Sequence, residues 1–400
     1  MTLAGLIRAA GMLAGVCMLT ACQSPSSAPV AFHANANPEN LAAWRVVSID
    51  DGYLRLNRRV VPYDVNTKLF SDYAYKLRTI WMPKGKSAQY EPKKTFDFPV
   101  GTIISKTFFY PLPKGEKRNA TDVAQTYRDL HAFVPGKGLD LTRVHLIETR
   151  LLVHRENGWA ALPYVWNHEQ TAAHLKRIGA ARDLVLVDAK GKRTPFTYVV
   201  PTANQCAICH DYAVKATGRA SPRHIIPIGP KARHLNREYT YANGTENQLE
   251  HWTKVGYLKG LPNLAKVPAN AQWTDTSQPL AARARAYLDA NCAYCHNPHG
   301  EANYTSLWLT SDEPFGMHTG LCKSPVAAGR ATGGRLFDLI PGDPDGSIIT
   351  HRMASTQVGV MMPEVGRTTA DKKGVALIRA WIASLDGNCQ IIRDNIAQAP

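Results

Sequence analysis

Two short stretches carry the residue types and spacing that do chemistry. Residues 204–210 read Asn-Gln-Cys-Ala-Ile-Cys-His, and residues 291–296 read Asn-Cys-Ala-Tyr-Cys-His. Both contain Cys-x-x-Cys-His. Thiols three residues apart share one face of a helical turn, so they can form thioethers with both vinyl groups of one haem. The next residue then presents its imidazole to the iron. Zinc would need two further protein ligands at each site, and a redox dithiol needs no adjacent His. The spacing therefore points to two covalent c-type haems. Cys206, Cys209, Cys292 and Cys295 are the attachment residues, and His210 and His296 are the proximal iron ligands.

Which chemistry applies depends on the compartment, and the N-terminus bears on it. Arg8 precedes an apolar run that ends in small residues, the pattern of a secretory signal over residues 1–21. Leu19-Thr20-Ala21-Cys22 resembles a bacterial lipobox. The resemblance implies cleavage before Cys22 and lipidation of its sulfur. Gln23 in the next position implies sorting to the outer membrane, facing the periplasm. Residues 22–40, rich in Ser, Pro, Ala and Asn, read as a flexible tether. The chain has 8 Cys. With Cys17 in the signal, Cys22 lipidated and four in the haem motifs, Cys322 and Cys389 remain. Two leftover thiols outside the cytosol usually pair, so a disulfide is expected.

The formal charge of +15 is spread over runs such as "NRR", "EPKK" and "PKGEKR", with no basic stripe interleaved with aromatics. Together with secretion, this argues against nucleic acid. It suits anionic headgroups near a Cys22 anchor, an acidic redox partner protein, or simply a solvated basic surface.

The elements around the second motif are legible. "QPLAARARAYLDANCAYCH" reads as a helix delivering Cys292 at its end. Thr369 or Asp371 can cap a helix through "KKGVALIRAWIASL", which Gly387 can end, with Val375, Ile378, Trp381, Ile382 and Leu385 on its apolar face. "VGVMMPEVG" lies just before it. Haem helix, loops, Met-Pro loop and terminal helix together resemble a class I cytochrome c domain over residues 276–392. The resemblance implies Met362 as the second haem's sixth ligand, with Met361 as the alternative. Pro298 and Pro341 are candidates for orienting His296. No Met lies between His210 and Cys292. The first iron, in residues 201–275, would take His224, His234 or His251, borrow a residue from elsewhere, or stay open.

Residues 41–200 contain no metal motif and read as a β-rich domain, a sandwich or barrel. "FDFPVGTIISKTFFY" is a strand. Hairpins are expected around Asn157-Gly158 and Gly191. "HEQTAAHLKRIGA" reads as a helix carrying His168 and His174. The expected fold is α+β: this β-rich domain, then a mainly α-helical region with two haem sites, then a tail over 393–400.

"KLFSDYAYKLRTIWMPKG", "FDFPVGTIISKTFFY", "IETRLLVH", "PYVWN", "PIGPKARHLN", "RARAYLDANCAYCH" and "MMPEVGRTTADKKGVALIRAWIASL" together resemble a family of secreted bacterial di-haem c-type cytochromes of uncharacterised role. The resemblance implies haem binding and single-electron transfer and supplies no substrate. The competing functions are a di-haem peroxidase-like or small-molecule oxidoreductase with a five-coordinate first iron, and a β-domain partner-binding module wired by haems.

Overall fold

The computed structural model describes residues 28–117, 120–127, 131–213 and 223–390. The expected signal segment, Cys17, the expected lipidation site Cys22 and the tail from 393 lie outside the described residues. In chain order the first strands are β1 (Val47–Asp50), β2 (Tyr53–Leu56), β3 (Val61–Tyr63), β4 (Tyr75–Trp81), β5 (Ala88–Gln89), β6 (Ile103–Pro111) and β7 (Asp122–Ala124). They continue with β8 (Phe133–Val134), β9 (Gly138–Asp140), β10 (Val144–Arg155), β11 (Gly158–Trp166), β12 (Ala173–Leu175), β13 (Ala180–Val187) and β14 (Arg193–Val200).

The N-terminal region is β-rich, as its alternating strands require. A six-stranded antiparallel sheet in the order β12-β11-β10-β6-β4-β3 forms its centre. Odd residues of β4 and β6 (Leu77, Ile103, Phe109) join Leu151 and Val153 of β10. They pack against Val47, Leu54 and Leu139 of a four-stranded sheet, β1-β2-β9-β8, in one apolar core. Even residues face the other way. At one end Phe108 and Tyr110 meet Val123, Leu184, Leu186 and Tyr198 of a small sheet, β14-β13-β7. At the other end Ile80 and Ile104 pack with residues of a later segment. The large sheet is thus covered on both faces, which satisfies a sheet with apolar residues on both sides.

Both expected hairpins form. The first turns at Glu156-Asn157, one residue early: Arg155 pairs with Gly158, which takes φ 106 as the opening residue of β11. The second pairs Val187 with Arg193, with Gly191 at φ 79. Two expectations fail. "HEQTAAHLKRIGA" is not a helix: Asn167 Oδ1 accepts from the Thr171 and Ala172 amides (2.8 and 3.1 Å), closing a turn that returns the chain as β12. Gln170, buried in that turn, accepts from the Leu146 amide and donates to its carbonyl (2.6 and 3.1 Å), which feeds the backbone at a β10 bulge. Helical spacing loses here because local side-chain bonds offer the backbone a better partner. His168 and His174 are exposed. Residues 28–40 also do not hang free. Val30 is in the core, His33 meets the Trp44 ring at 4.9 Å, and Tyr164 donates to the Pro38 carbonyl (2.8 Å).

Next come α1 (Ala203–His210), β15 (Asp211–Ala213), β16 (Arg223–Ile225), α2 (Ala232–Leu235), β17 (Glu238–Tyr241), β18 (Gly244–Asn247), α3 (Gln248–Lys254) and β19 (Leu258–Lys259). Ala232, Leu235, Leu249, Trp252 and Tyr257 seal the large sheet beside Ile80 and Ile104. The chain ends with α4 (Leu280–Asn291), α5 (Ile348–Ala354) and α6 (Lys372–Ala383). Asp371, rather than Thr369, caps α6 by accepting from the Gly374 amide (3.0 Å). The helix stops at Ala383, before Gly387. Its buried face is Leu377, Ile378, Trp381 and Ile382, packed with Ala284, Tyr287 and Leu288 of α4. Cys322 and Cys389 are joined, closing a separation of 67 residues.

Two substitutions test this packing. A Cβ on Gly374 would collide with the hydroxyl and ring of Tyr287 across the α4–α6 contact. Gly374→Ala is expected to lower stability by about 1–3 kcal/mol, read from the urea midpoint. Replacing both Cys322 and Cys389 by Ser is expected to cost about 2–4 kcal/mol by the same measurement.

Candidate functional site

The first motif begins where the β-region ends. β14 runs into Thr202, which caps α1 by accepting from the Gln205 amide (3.1 Å), while Gln205 accepts from the Thr202 amide (3.0 Å). This box starts α1 at Ala203, three residues before Cys206, and puts Cys206, Cys209 and His210 on one short helix. The His210 Nδ1 bonds the Ile226 carbonyl at 2.8 Å. That bond fixes the ring and leaves Nε2 as the free ligand atom, the usual arrangement behind a metal-bound imidazole. Burial first, and then the Lys106 charge, pull the His210 pKa down to about 4. The ring is therefore neutral and able to ligate at neutral pH.

The second motif closes α4. Cys292 is the C-cap, and the His296 amide donates to the Cys292 carbonyl (3.0 Å), so Cys295 and His296 form a further tight turn. Burial and then Arg352 hold the His296 pKa at about 4. Its Nδ1 makes no hydrogen bond within 3.5 Å, although the Leu307 carbonyl lies near enough to pull towards protonation. Leu307, rather than Pro298 or Pro341, is thus the backbone group beside this ring. Burial pushes the Cys292 thiol up to about 12, and burial also raises Cys206.

The two motifs, far apart in sequence, touch. Cys295 Sγ donates to the Ile208 carbonyl at 3.1 Å. Cys209 and Cys295 share a hydrogen bond, which draws the Cys209 pKa down, with Arg150 and Lys106 adding to it, and raises Cys295 in turn. Ile208, Cys209, Cys292, Cys295, His296 and Met362 line one cleft, with about 1370 Å³ of empty space between its walls and open solvent. Met362 faces it, whereas Met361 is buried and not among its lining residues.

The candidate ligands of the first iron lie elsewhere. His224 is exposed on β16, opposite Tyr212. His234 is buried against Asp289 of α4 (3.5 Å). His251 bonds Glu246 (2.7 Å) and stacks on Tyr241 at 3.5 Å between ring centres. None of the three lines the cleft. Sequence reasoning missed His299, whose Nδ1 bonds the Ala213 carbonyl (2.9 Å) beside the first motif. It also missed Lys106 and Arg150, whose charges reach Cys209 and His210. The only hint was a cation inside otherwise apolar strands. Among the described residues, no group of three or more His, Cys, Asp or Glu is arranged to hold a metal ion by protein ligands alone. A haem iron needs only one or two protein ligands, which the neutral imidazoles of His210 and His296 could provide.

No family model matches the chain, and no curated protein and no solved structure shows significant similarity to it.

Lys106 supplies a test of the electrostatics. Burial, then Arg78 and Arg150, lower its pKa to about 7, against the pull of Cys209 and Glu148. Between about pH 7 and 10.5 the unfolded chain holds this proton and the folded chain does not, so stability rises with pH across that window. Lys106→Met is expected to flatten the rise, checked by urea midpoints at pH 7, 8.5 and 10.

Proposed function

We propose that the chain is a di-haem c-type cytochrome that passes single electrons on the periplasmic side of a membrane, anchored at the outer membrane through lipid on Cys22. The observation that carries this reading is the meeting of two Cys-x-x-Cys-His motifs at one cleft, with Cys209 and Cys295 in contact. Cys206 and Cys209 would hold the first haem and Cys292 and Cys295 the second. Bound haem iron supplies one-electron chemistry. The protein's own part is to fix the imidazoles of His210 and His296 in their neutral form, and to wall the second site with apolar side chains such as Leu307, Leu309 and Met353. The order α4, motif, loops, Met-Pro loop, α6, with α4 packed on α6, supports a class I cytochrome c-like arrangement for residues 276–392. The charge of +15 suits an acidic redox partner.

A second reading has its own observation. His234 and His251 are each engaged by a carboxylate, which favours an open first iron and a small-molecule oxidoreductase. Carbon monoxide binding to the reduced protein separates the two: the carrier with both irons six-coordinate stays closed, and the oxidoreductase binds at one haem.

Mass spectrometry of the denatured protein is expected to show two covalent haem additions per chain, and a mature chain with one or none overturns the reading. Since Cys209 and Cys295 touch, the two attachment edges adjoin. A coupled, bisignate Soret dichroism band is therefore expected in the holoprotein, and it is lost when Cys292→Ala with Cys295→Ala leaves one haem. Met362→Ala is expected to lower the second haem's potential and open it to carbon monoxide, because a thioether favours ferrous iron; Met361→Ala does neither. Redox titration and reduced-state spectra check both.

A further inference from the structure

The large sheet carries a row of cations where its second face should be apolar. Arg78 of β4 is in register with Lys106 of β6, and Lys106 with Arg150 of β10. They cross the sheet in the gap between the two apolar clusters that cover it, one containing Ile104 and the other Phe108. Lys76 lies one pair further along, opposite Phe108. The Phe108 ring has the Lys76 ammonium at 5.2 Å, the Arg150 guanidinium carbon at 4.4 Å and the Lys106 ammonium at 6.0 Å.

Two carboxylates answer this charge, and both are committed. Glu148, fully buried, takes a fork from Arg150 (2.6 and 2.7 Å) and the Tyr198 hydroxyl (2.7 Å). Asp64 serves Arg78 (3.0 Å), Lys68 (2.9 Å) and Arg237 (3.6 Å). Lys76 donates to the Leu69 and Ala74 carbonyls (2.7 and 3.2 Å). Lys106 alone has neither hydrogen bond nor ion pair among the described residues; its one polar contact is the Phe108 face. The residue is only partly buried. Holding a proton on an unpaired amine between two guanidinium groups is costly, an anion would offset that cost by keeping the amine charged, and a purely structural strand would carry Thr or Val there. The surplus charge also stands beside α1, close enough to act on Cys209 and His210.

We propose that Lys106, flanked by Arg78 and Arg150, is a binding site for a single carboxylate or comparable small oxyanion beside the first attachment motif. Such a ligand supplies the missing partner of Lys106 and uses the remaining donors of the row. It has two sources: a propionate of a haem held by Cys206 and Cys209, which rests on the function proposed above, or a free anion, which does not.

The test is titration calorimetry of the full-length protein with acetate and with inorganic phosphate in chloride-free buffer. If the ligand is free, the wild type binds one equivalent, Lys106→Met weakens binding by about tenfold or more, and Lys106→Arg retains it. If it is a propionate, the haem-loaded wild type does not bind either probe. The Cys206→Ala, Cys209→Ala variant then does, adding Lys106→Met abolishes that binding, and Lys106→Met alone shifts the potential of the first haem and not the second. Exposed Lys190→Met changes none of these, and Lys106→Gln repeats the comparison if Lys106→Met fails to fold. The proposal is overturned if neither wild type nor the cysteine variant binds either anion and the first potential does not move. A chain that proves to lack haem leaves the calorimetric arm intact, so failure of the haem reading and failure of the anion site are told apart.

Discussion

The cleft depends on two buried carboxylates that sew the C-terminal loop to the β-region. Asp72, in left-handed conformation at φ 49, accepts from the Thr368 amide (2.8 Å) and from the amide and hydroxyl of Thr369 (both 2.7 Å). Burial alone pushes its pKa up, and these donors pull against it. Two residues on, Asp371 caps α6 and also accepts from Tyr127 (2.7 Å) of the β-region and Tyr287 (3.0 Å) of α4. Charge-assisted bonds of this kind are stronger than neutral ones and costly to leave half made. Between them and the cleft stands Arg367. Its guanidinium collects the carbonyls of Met362, Ser355, Thr369 and Arg352 (2.7 to 3.3 Å). A loop with no regular structure, carrying Met362, is thereby given one shape.

The same stretch of the β-region holds the end of α4. The Phe70 amide donates to Asn291 Oδ1 (2.7 Å), and Thr67 donates to the Ala271 carbonyl (2.7 Å). Asn291 immediately precedes Cys292, so the second motif is positioned by residues 67–73, which precede β4. The first motif is positioned from the other side, by α1 and β16 packing on β11. One support leads into β4 and the other packs on β11, two strands of the same sheet. The two motifs then meet directly, Cys295 Sγ donating to the Ile208 carbonyl of α1 (3.1 Å).

What could be read from sequence was local. The motifs, the hairpins, the capped terminal helix and the cysteine pair each declare themselves within a few residues or by simple count. The segment 168–180 misled because helical spacing says nothing of an Asn167 side chain that bonds the backbone ahead of it. The cation row was illegible for a different reason. Arg78, Lys106 and Arg150 come from three strands, and only the pairing register puts them side by side. The roles of His234 and His251 depended likewise on Asp289 and Glu246. Spacing marked these histidines as possible ligands, and packing engaged them otherwise.

Charge placement around the two imidazoles has a consequence for the proposed electron transfer. His210 stands near Lys106 and Arg150, and His296 near Arg352 and Lys323. Cations that disfavour a protonated ring also disfavour any added positive charge at the same place, ferric iron included. If the two haems of the proposed function are bound, these fixed side chains would bias each site towards the reduced state. The bias differs between them. Lys323 is compensated by Asp338 at 3.4 Å, and Arg352 faces the half-exposed Glu364 at 3.7 Å. Arg150 is matched by Glu148, but Lys106 is matched by nothing among the described residues. In the proposed cytochrome an anion seated on Lys106 would reduce that difference, so occupancy there would influence how far apart the two potentials stand.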